Sequence, residues 1–340
     1  MKSIANKLEK EEKAMDQKKK NVLWFLVSVW IIMTFAVSGA QAQSQDKFPT
    51  RSIDIIVPTA AGGAADTTSR LVAEYLKKKW GVVVNVVNKP GGNTIIGNSE
   101  LHQARPDGYT VMADGFSGTM LLEVASRDLP FKVLDRTFIG VIVTCPLVFY
   151  VPAASPIKNL KDLEAEIKKD PEHFTWASFG GAGPGDFLVR QFFKAIGVDV
   201  AKTKPVSTRG GAEQLTMVAG NHVKMAYAVP VSGLPHVKAG TVRAVGLTGY
   251  RVPELDAATM QEQGYPSANF VFYQGYSGPP KMSSVAMNKW SEVLQEIVKD
   301  QEFATKVQDL GYKPYYLGPD ETREFVRKGM EEARVLWGIK

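Results

Sequence analysis

Short apolar runs alternate with stretches of helical periodicity through most of the chain, which predicts α/β architecture with mostly parallel sheets. Ile53-Asp54-Ile55-Ile56-Val57 reads as the first strand. From Asp66 to Trp80 a helix follows, with Leu71, Val72, Tyr75 and Leu76 on one side and Lys77-Lys78-Lys79 in the last turn, where cations suit the helix dipole. Val82 to Val87 predicts a second strand, Pro90-Gly91-Gly92-Asn93 a loop and Ile95 to Ala104 a helix. Pro106-Asp107-Gly108 then predicts a turn and Tyr109 to Ala113 a third strand.

The apolar run Val141 to Val151 leads into Pro152 and Pro156, and the helical stretch Leu160 to Lys169 follows, so a second lobe is expected to begin there. Phe174 to Ser178, Val206-Ser207, Met225 to Val229 and Val242 to Leu247 read as short strands separated by helices. Phe270 to Ser277 reads as an extended return, before helices at about Val285 to Leu310 and Pro319 to Trp337. The pattern predicts a first lobe of residues 43–150 plus 271–340 and an inserted second lobe of residues 151–270, joined by two crossing strands. That layout places a cleft between the lobes, where small ligands usually sit. No internal repeat is apparent.

The first 42 residues stand apart, with a Lys-rich start, an apolar run from Val22 to Val37, then Ser38-Gly39-Ala40-Gln41-Ala42. This is the layout of a secretory signal peptide, and cleavage after Ala42 is expected. The apolar run is 16 residues, short of the roughly 20 that a spanning helix needs. Met15, followed by Asp16-Gln17-Lys18-Lys19-Lys20, offers an alternative start with a more typical signal length.

Composition adds three constraints. Hydrophobic residues make up 44% and charged residues 22% of the 340, an ordinary globular balance. Seven of the 41 Lys and Arg and four of the 35 Asp and Glu fall in residues 1–42, leaving 34 against 31, so nucleic acid is not an indicated partner. Cys145 is the single cysteine, which leaves no disulfide and no lipidation site after the signal; export to a bacterial periplasm is expected.

Three glycine-bearing loops carry the candidate chemistry. Thr59-Ala60-Ala61-Gly62-Gly63-Ala64-Ala65-Asp66 joins a strand to a helix, with Asp66 as expected cap. Ser178-Phe179-Gly180-Gly181-Ala182-Gly183-Pro184-Gly185-Asp186 repeats the design, and Val206-Ser207-Thr208-Arg209-Gly210-Gly211 precedes a third helix. Glycines let backbone N–H groups turn toward a ligand and a helix start adds positive potential, so each loop is either an anion site or a plain tight turn. Arg209 is either a ligand-facing cation or a solvated surface charge. No Gly-Lys-Ser/Thr follows any of the loops, and Gly181-Ala182-Gly183-Pro184-Gly185 has the wrong spacing for a dinucleotide fingerprint.

Catalytic patterns are missing. His102, His173, His222 and His236 form no metal-ligand spacing and read as surface or loop residues. Gly115-Phe116-Ser117-Gly118 and Gly275-Tyr276-Ser277-Gly278 lack the spacing of a nucleophile elbow, and Cys145 reads as a small buried hydrophobe. Neither a cofactor nor a metal is expected, and a secreted enzyme is an alternative without a motif.

Several segments stand out by their order and spacing. They are Phe48-Pro49-Thr50-Arg51, Val57-Pro58 to Asp66 with Arg70, Asn88-Lys89-Pro90-Gly91-Gly92, and Arg105-Pro106-Asp107-Gly108-Tyr109-Thr110. Further on stand Ala177-Ser178 with Gly180, Gly210-Gly211-Ala212, Gly220-Asn221-His222-Val223, Gly240-Thr241-Val242-Arg243-Ala244 and Gly275-Tyr276-Ser277-Gly278-Pro279. Together they resemble the periplasmic solute-binding proteins of tripartite tricarboxylate transporters, the Bug family, and the resemblance implies a two-lobed Venus flytrap fold that binds a small carboxylate and delivers it, as a monomer, to a permease of one large and one small subunit. A sensor that presents its closed form to a membrane receptor is the alternative use of the same fold.

By that resemblance Thr59, Ala60, Gly62, Gly63, Ala64, Ala65 and Asp66 hold the ligand from one lobe, and Ser178, Phe179, Gly180, Gly181, Gly183 and Asp186 from the other, with Arg209 and Gly210 beside them. The sequence departs from the family where Ala182 and Gly183 replace a Gly-Ser pair and Asp186 replaces a His. Asp186 is expected to cap its helix. Tyr273 stands where the family carries Trp, and Phe116, Phe179, Phe187 and Tyr227 are candidate cleft walls or core residues.

Overall fold

The computed structural model describes residues 48–339 apart from Arg127, Ala182 and Arg209. The expectations for the signal peptide, its cleavage after Ala42, a start at Met15 and the role of Arg209 lie outside the described residues.

Six strands form one sheet, in the order Lys313–Leu317, Thr137–Cys145, Phe272–Gly278, Thr110–Asp114, Ile53–Val57 and Val84–Asn88. Its strands are β1 (Ile53–Val57), β2 (Val84–Asn88), β3 (Thr110–Asp114), β4 (Thr137–Cys145), β10 (Phe272–Gly278) and β11 (Lys313–Leu317). β1 runs parallel to β2 and β3, connected through α1 (Ala64–Trp80) and α2 (Ile95–Gln103). β10 is antiparallel to β3 and β4, and β11 is antiparallel to β4.

A second set of strands spans the middle of the chain. β5 (Val148–Pro152) pairs antiparallel with β8 (Ala226–Ala228) and β9 (Val242–Leu247), while β6 (Thr175–Ser178) pairs parallel with β7 (Lys204–Ser207). A bridge between Trp176 and Met225 links the two groups. Around them stand α3 (Leu160–Lys169), α4 (Pro184–Ala195), α5 (Gly211–Ala219) and α6 (Pro230–Lys238). The chain closes with α7 (Ser284–Ile297), α8 (Gln301–Asp309) and α9 (Pro319–Leu336).

The structure corrects four local expectations. The run Val141 to Val151 is two strands in two sheets, β4 and β5, with Pro146 between them, where a missing N–H ends a ladder. The helix expected over Val285 to Leu310 breaks because the Asp300 carboxylate accepts Phe303 N at 2.8 Å and starts α8 afresh. β11 was not expected at all: Lys313 and Pro314 begin an edge strand whose residues are mostly half-exposed, so it carries little apolar signal. The helices after the three loops begin two or three residues early, at Ala64, Pro184 and Gly211, because Gly63, Gly183 and Gly210 are the N-caps.

One large apolar cluster runs from β5 and β6 through α4 to α9, and includes Phe149, Trp176, Phe187, Phe192, Tyr273 and Val326. Phe116, just after β3, packs against Phe187 at 5.1 Å and Phe270 at 4.9 Å between ring centroids. Such aromatic contacts each add about 0.5–1.5 kcal/mol beyond area burial. They tie the end of β3 to the first turn of α4.

Candidate functional site

Strands β1, β2 and β3 end at one edge of their sheet, and the segments that follow collect there. Asn88 Nδ2 donates to Thr59 O at 3.2 Å and to Asp66 Oδ1 at 3.0 Å, while Lys89 N donates to Val57 O at 2.8 Å. In the segment after β2, Thr94 has φ 75°, a left-handed conformation unusual for a β-branched residue. Asn98 Nδ2 holds it by donating to Thr94 O at 2.9 Å.

In the first loop Gly62 turns at φ 81° and Gly63 caps α1 with extended backbone. Asp66 is the third residue of α1, not its N-cap as expected. Its Oδ2 accepts Gly62 N at 2.9 Å and Arg70 Nε at 3.0 Å, and its Oδ1 accepts Arg70 Nη2 at 2.9 Å. The Arg70 guanidinium pulls this carboxyl below its ordinary range against the opposing effect of burial. Thr59 to Ala64 are exposed; Gly63 N closes the turn on Ala60, and the N–H groups of Ala64 and Ala65 have no acceptor among the described residues. They stand at the positive end of a helix of 17 residues.

The second loop spends the N–H groups of Phe179, Gly181 and Gly183 internally. Asp186, wholly buried, accepts Ser178 Oγ at 2.6 Å on Oδ1, and Gly183 N at 2.8 Å and Phe179 N at 3.2 Å on Oδ2. Phe179 N also donates to Tyr227 Oη at 2.9 Å, and Gly181 N to Ser178 Oγ at 2.9 Å. Asp186 is thus the third residue of α4 rather than its N-cap, closing the first turn through Gly183 N; burial pushes its carboxyl upward, since Arg190 one turn on feels its charge but bonds Leu336 O instead. Gly180 and Gly181 turn at φ 68° and 79°, and Trp337 Nε1 donates to Gly181 O at 3.2 Å. Phe179 is 46% exposed, whereas Phe116, Phe187, Tyr227 and Tyr273 are core residues.

The third loop is fastened to the second. Thr208 N and Oγ1 both donate to Ser178 O at 2.9 Å, and half-buried Gly210 caps α5. On the opposite side, Gln274 Nε2 donates to Ala65 O at 3.3 Å, which ties β10 to the first turn of α1. Sequence reasoning missed Gln274, because nothing local distinguishes it from any polar residue in a strand. It also missed Arg136, whose side chain is fully buried; it bonds Asp114 Oδ1 at 2.7 Å, Gly118 O at 3.2 Å and Asn98 Oδ1, bracing the end of β3.

Residues once weighed for chemistry are structural. Cys145 Sγ donates to Gly311 O at 3.0 Å, and burial pushes the thiol up to about 12. His102 is a correction, being half-buried on α2, stacked on Phe131 at 4.2 Å and bonded to Asn98 O at 2.8 Å.

The sequence matches the family described as "Tripartite tricarboxylate transporter family receptor" (TctC) over residues 68–336. BugT of Bordetella pertussis is 27% identical over 300 residues, 86% of this chain and 90% of that protein. Among solved structures, an R. palustris protein with adipate superposes with TM-score 0.71 at 21% identity, covering 86% of this chain and 98% of that one. MatC of Rhodopseudomonas palustris with bound malate gives TM-score 0.67 at 19% identity, covering 85% and 100%.

Proposed function

Since the chain belongs to the TctC family of tripartite tricarboxylate transporter receptors, we propose that it captures a small carboxylate and hands it to the membrane permease of such a transporter. Residues 43–150 with 271–340 form one lobe in this reading and residues 151–270 the other, with the ligand in the cleft between them. Closure follows because the ligand touches both lobes only in the closed state, so its binding energy shifts the hinge equilibrium. The protein performs no chemistry on its ligand and works in the periplasm after cleavage at Ala42.

The observation that carries this reading is the pair of uncommitted N–H groups on exposed Ala64 and half-buried Ala65 at the positive end of α1. A carboxylate is the anion that such a pair takes through charge-assisted hydrogen bonds. Adipate and malate, bound by the two R. palustris relatives, are both carboxylates. From the other lobe Phe179 and Gly180 meet the ligand, while Asp66 and Asp186 hold their loops in shape and Ser178 supports both second-lobe loops.

A thermal-shift screen of the chain from Gln43 onward against aliphatic, hydroxy, amino and aromatic acids, each beside its amide, tests the reading. An acid that raises the melting temperature by several degrees while its amide does not supports it. Equal shifts from acid and amide would contradict it.

A further inference from the structure

Gln274 lies in β10, one residue from Gly275, which pairs with Asp114 at the end of β3. It therefore stands at the sheet edge where the first loop begins. Its side chain is buried, 2% exposed, and Nε2 donates to Ala65 O at 3.3 Å. That bond fixes the way the amide faces, because the flipped amide would set Oε1 against a carbonyl oxygen, two acceptors in contact.

Oε1 is thus the free end of the group. It is buried and has no donor among the described residues. Tyr276, on the same face of β10, lies beside the amide, and its hydroxyl donates to Ser69 Oγ at 3.1 Å. A buried amide oxygen without a partner is destabilising and calls for an explanation. Ala65, the residue that anchors the amide, also carries one of the free N–H groups at the start of α1.

We propose that Gln274 Oε1 reads the ligand, accepting a hydrogen bond from a hydroxyl or ammonium on the carbon next to its carboxylate. The chain then prefers 2-hydroxy or 2-amino acids to their unsubstituted counterparts. A site with a buried acceptor rejects the analogue that leaves the acceptor unpaired more strongly than an apolar pocket rejects a missing methylene. The inference rests on the carboxylate reading of the same loop and adds to it which carboxylates are chosen.

Calorimetric titration of the purified chain with matched pairs tests it: malate and succinate, lactate and propionate, alanine and propionate, 2-hydroxyadipate and adipate. The wild type is expected to bind the substituted member of at least one pair about tenfold or more tightly than its partner. In Gln274→Met, similar in volume but without the acceptor, that ratio should fall below about threefold. Equal binding of both members by the wild type would overturn the inference, as would a ratio that survives in Gln274→Met. The wild-type ratio decides by itself if the variant does not fold. Acids that bind without preference remove this inference alone, whereas no binding by any acid removes the carboxylate reading and this inference together.

Discussion

Asp66 and Asp186 occupy the same place in two helices, each the third residue after a glycine N-cap, with Oδ2 2.9 Å from Gly62 N and 2.8 Å from Gly183 N. Their environments differ in one respect. Arg70 grips Asp66 and lowers its pKa, while Asp186 has hydroxyl and amide partners and is raised by burial. One arrangement of backbone and carboxylate thus responds to acid in two opposite ways.

For Asp66 the folded value lies below the unfolded one, so its contribution to stability is complete above the ordinary carboxylate range and is lost as pH falls through the folded value. Arg70→Leu should shrink that shift. Stability at pH 7 falls, and the loss on acidification below about pH 4 becomes shallower, as read by urea unfolding at several pH values. An unchanged acid limb would mean that Arg70 does not set this carboxyl.

For Asp186 the sign reverses: the folded state holds the proton longer, so the group's contribution is complete below the ordinary carboxylate range and lessens as pH rises through the raised value. Asp186→Ala, which strands Ser178 Oγ, Phe179 N and Gly183 N, should lose about 2–4 kcal/mol by urea unfolding. Its deficit relative to wild type should narrow as pH rises from about 4 to 7. A deficit constant across that range would remove the raised carboxyl from the account.

Two glycines near the loops should answer substitution differently. At Gly63 a Cβ meets Ala60 O at an ordinary 3.5 Å, so Gly63→Leu should fold with little change in melting temperature and lose carboxylate affinity about tenfold or more. At Gly185 a Cβ would run into the Tyr227 ring, so Gly185→Ala should lose about 3 kcal/mol and disturb the hydrogen bond from Phe179 N to Tyr227. Full affinity in Gly63→Leu would take the first loop out of the site.

Cys145 should be inert in the native state. Its thiol is buried and pushed up to about 12, so at pH 8 a thiol reagent should label it only after denaturant is added. Prompt labelling of the native protein would contradict the packing around β4.

Much of the framework was legible because it repeats locally. The strand Ile53–Val57, the helix Leu160–Lys169 and the strand Val242–Leu247 follow from side-chain periodicity alone, and each glycine loop announces a helix start. What the loops do with their donors was not legible. The sequence offers two similar glycine runs, yet Asp186 and Ser178 take up the N–H groups of Phe179, Gly181 and Gly183 in one while Ala64 and Ala65 keep theirs in the other. Gln274 stands 209 residues from Ala65, and Arg136 stands 22 from Asp114, so only the folded chain brings these pairs together. β11 hid for a related reason, since an edge strand needs little apolar surface.

The central claim is that the N–H groups at the start of α1 hold a carboxylate, and amide NMR reads those groups directly. In a titration of the ¹⁵N-labelled chain with an acid found in the screen, the resonances of Ala64 and Ala65 should move downfield and saturate together, and the matching amide should leave them in place. Saturable binding that shifts other residues while these two stay fixed would contradict the account.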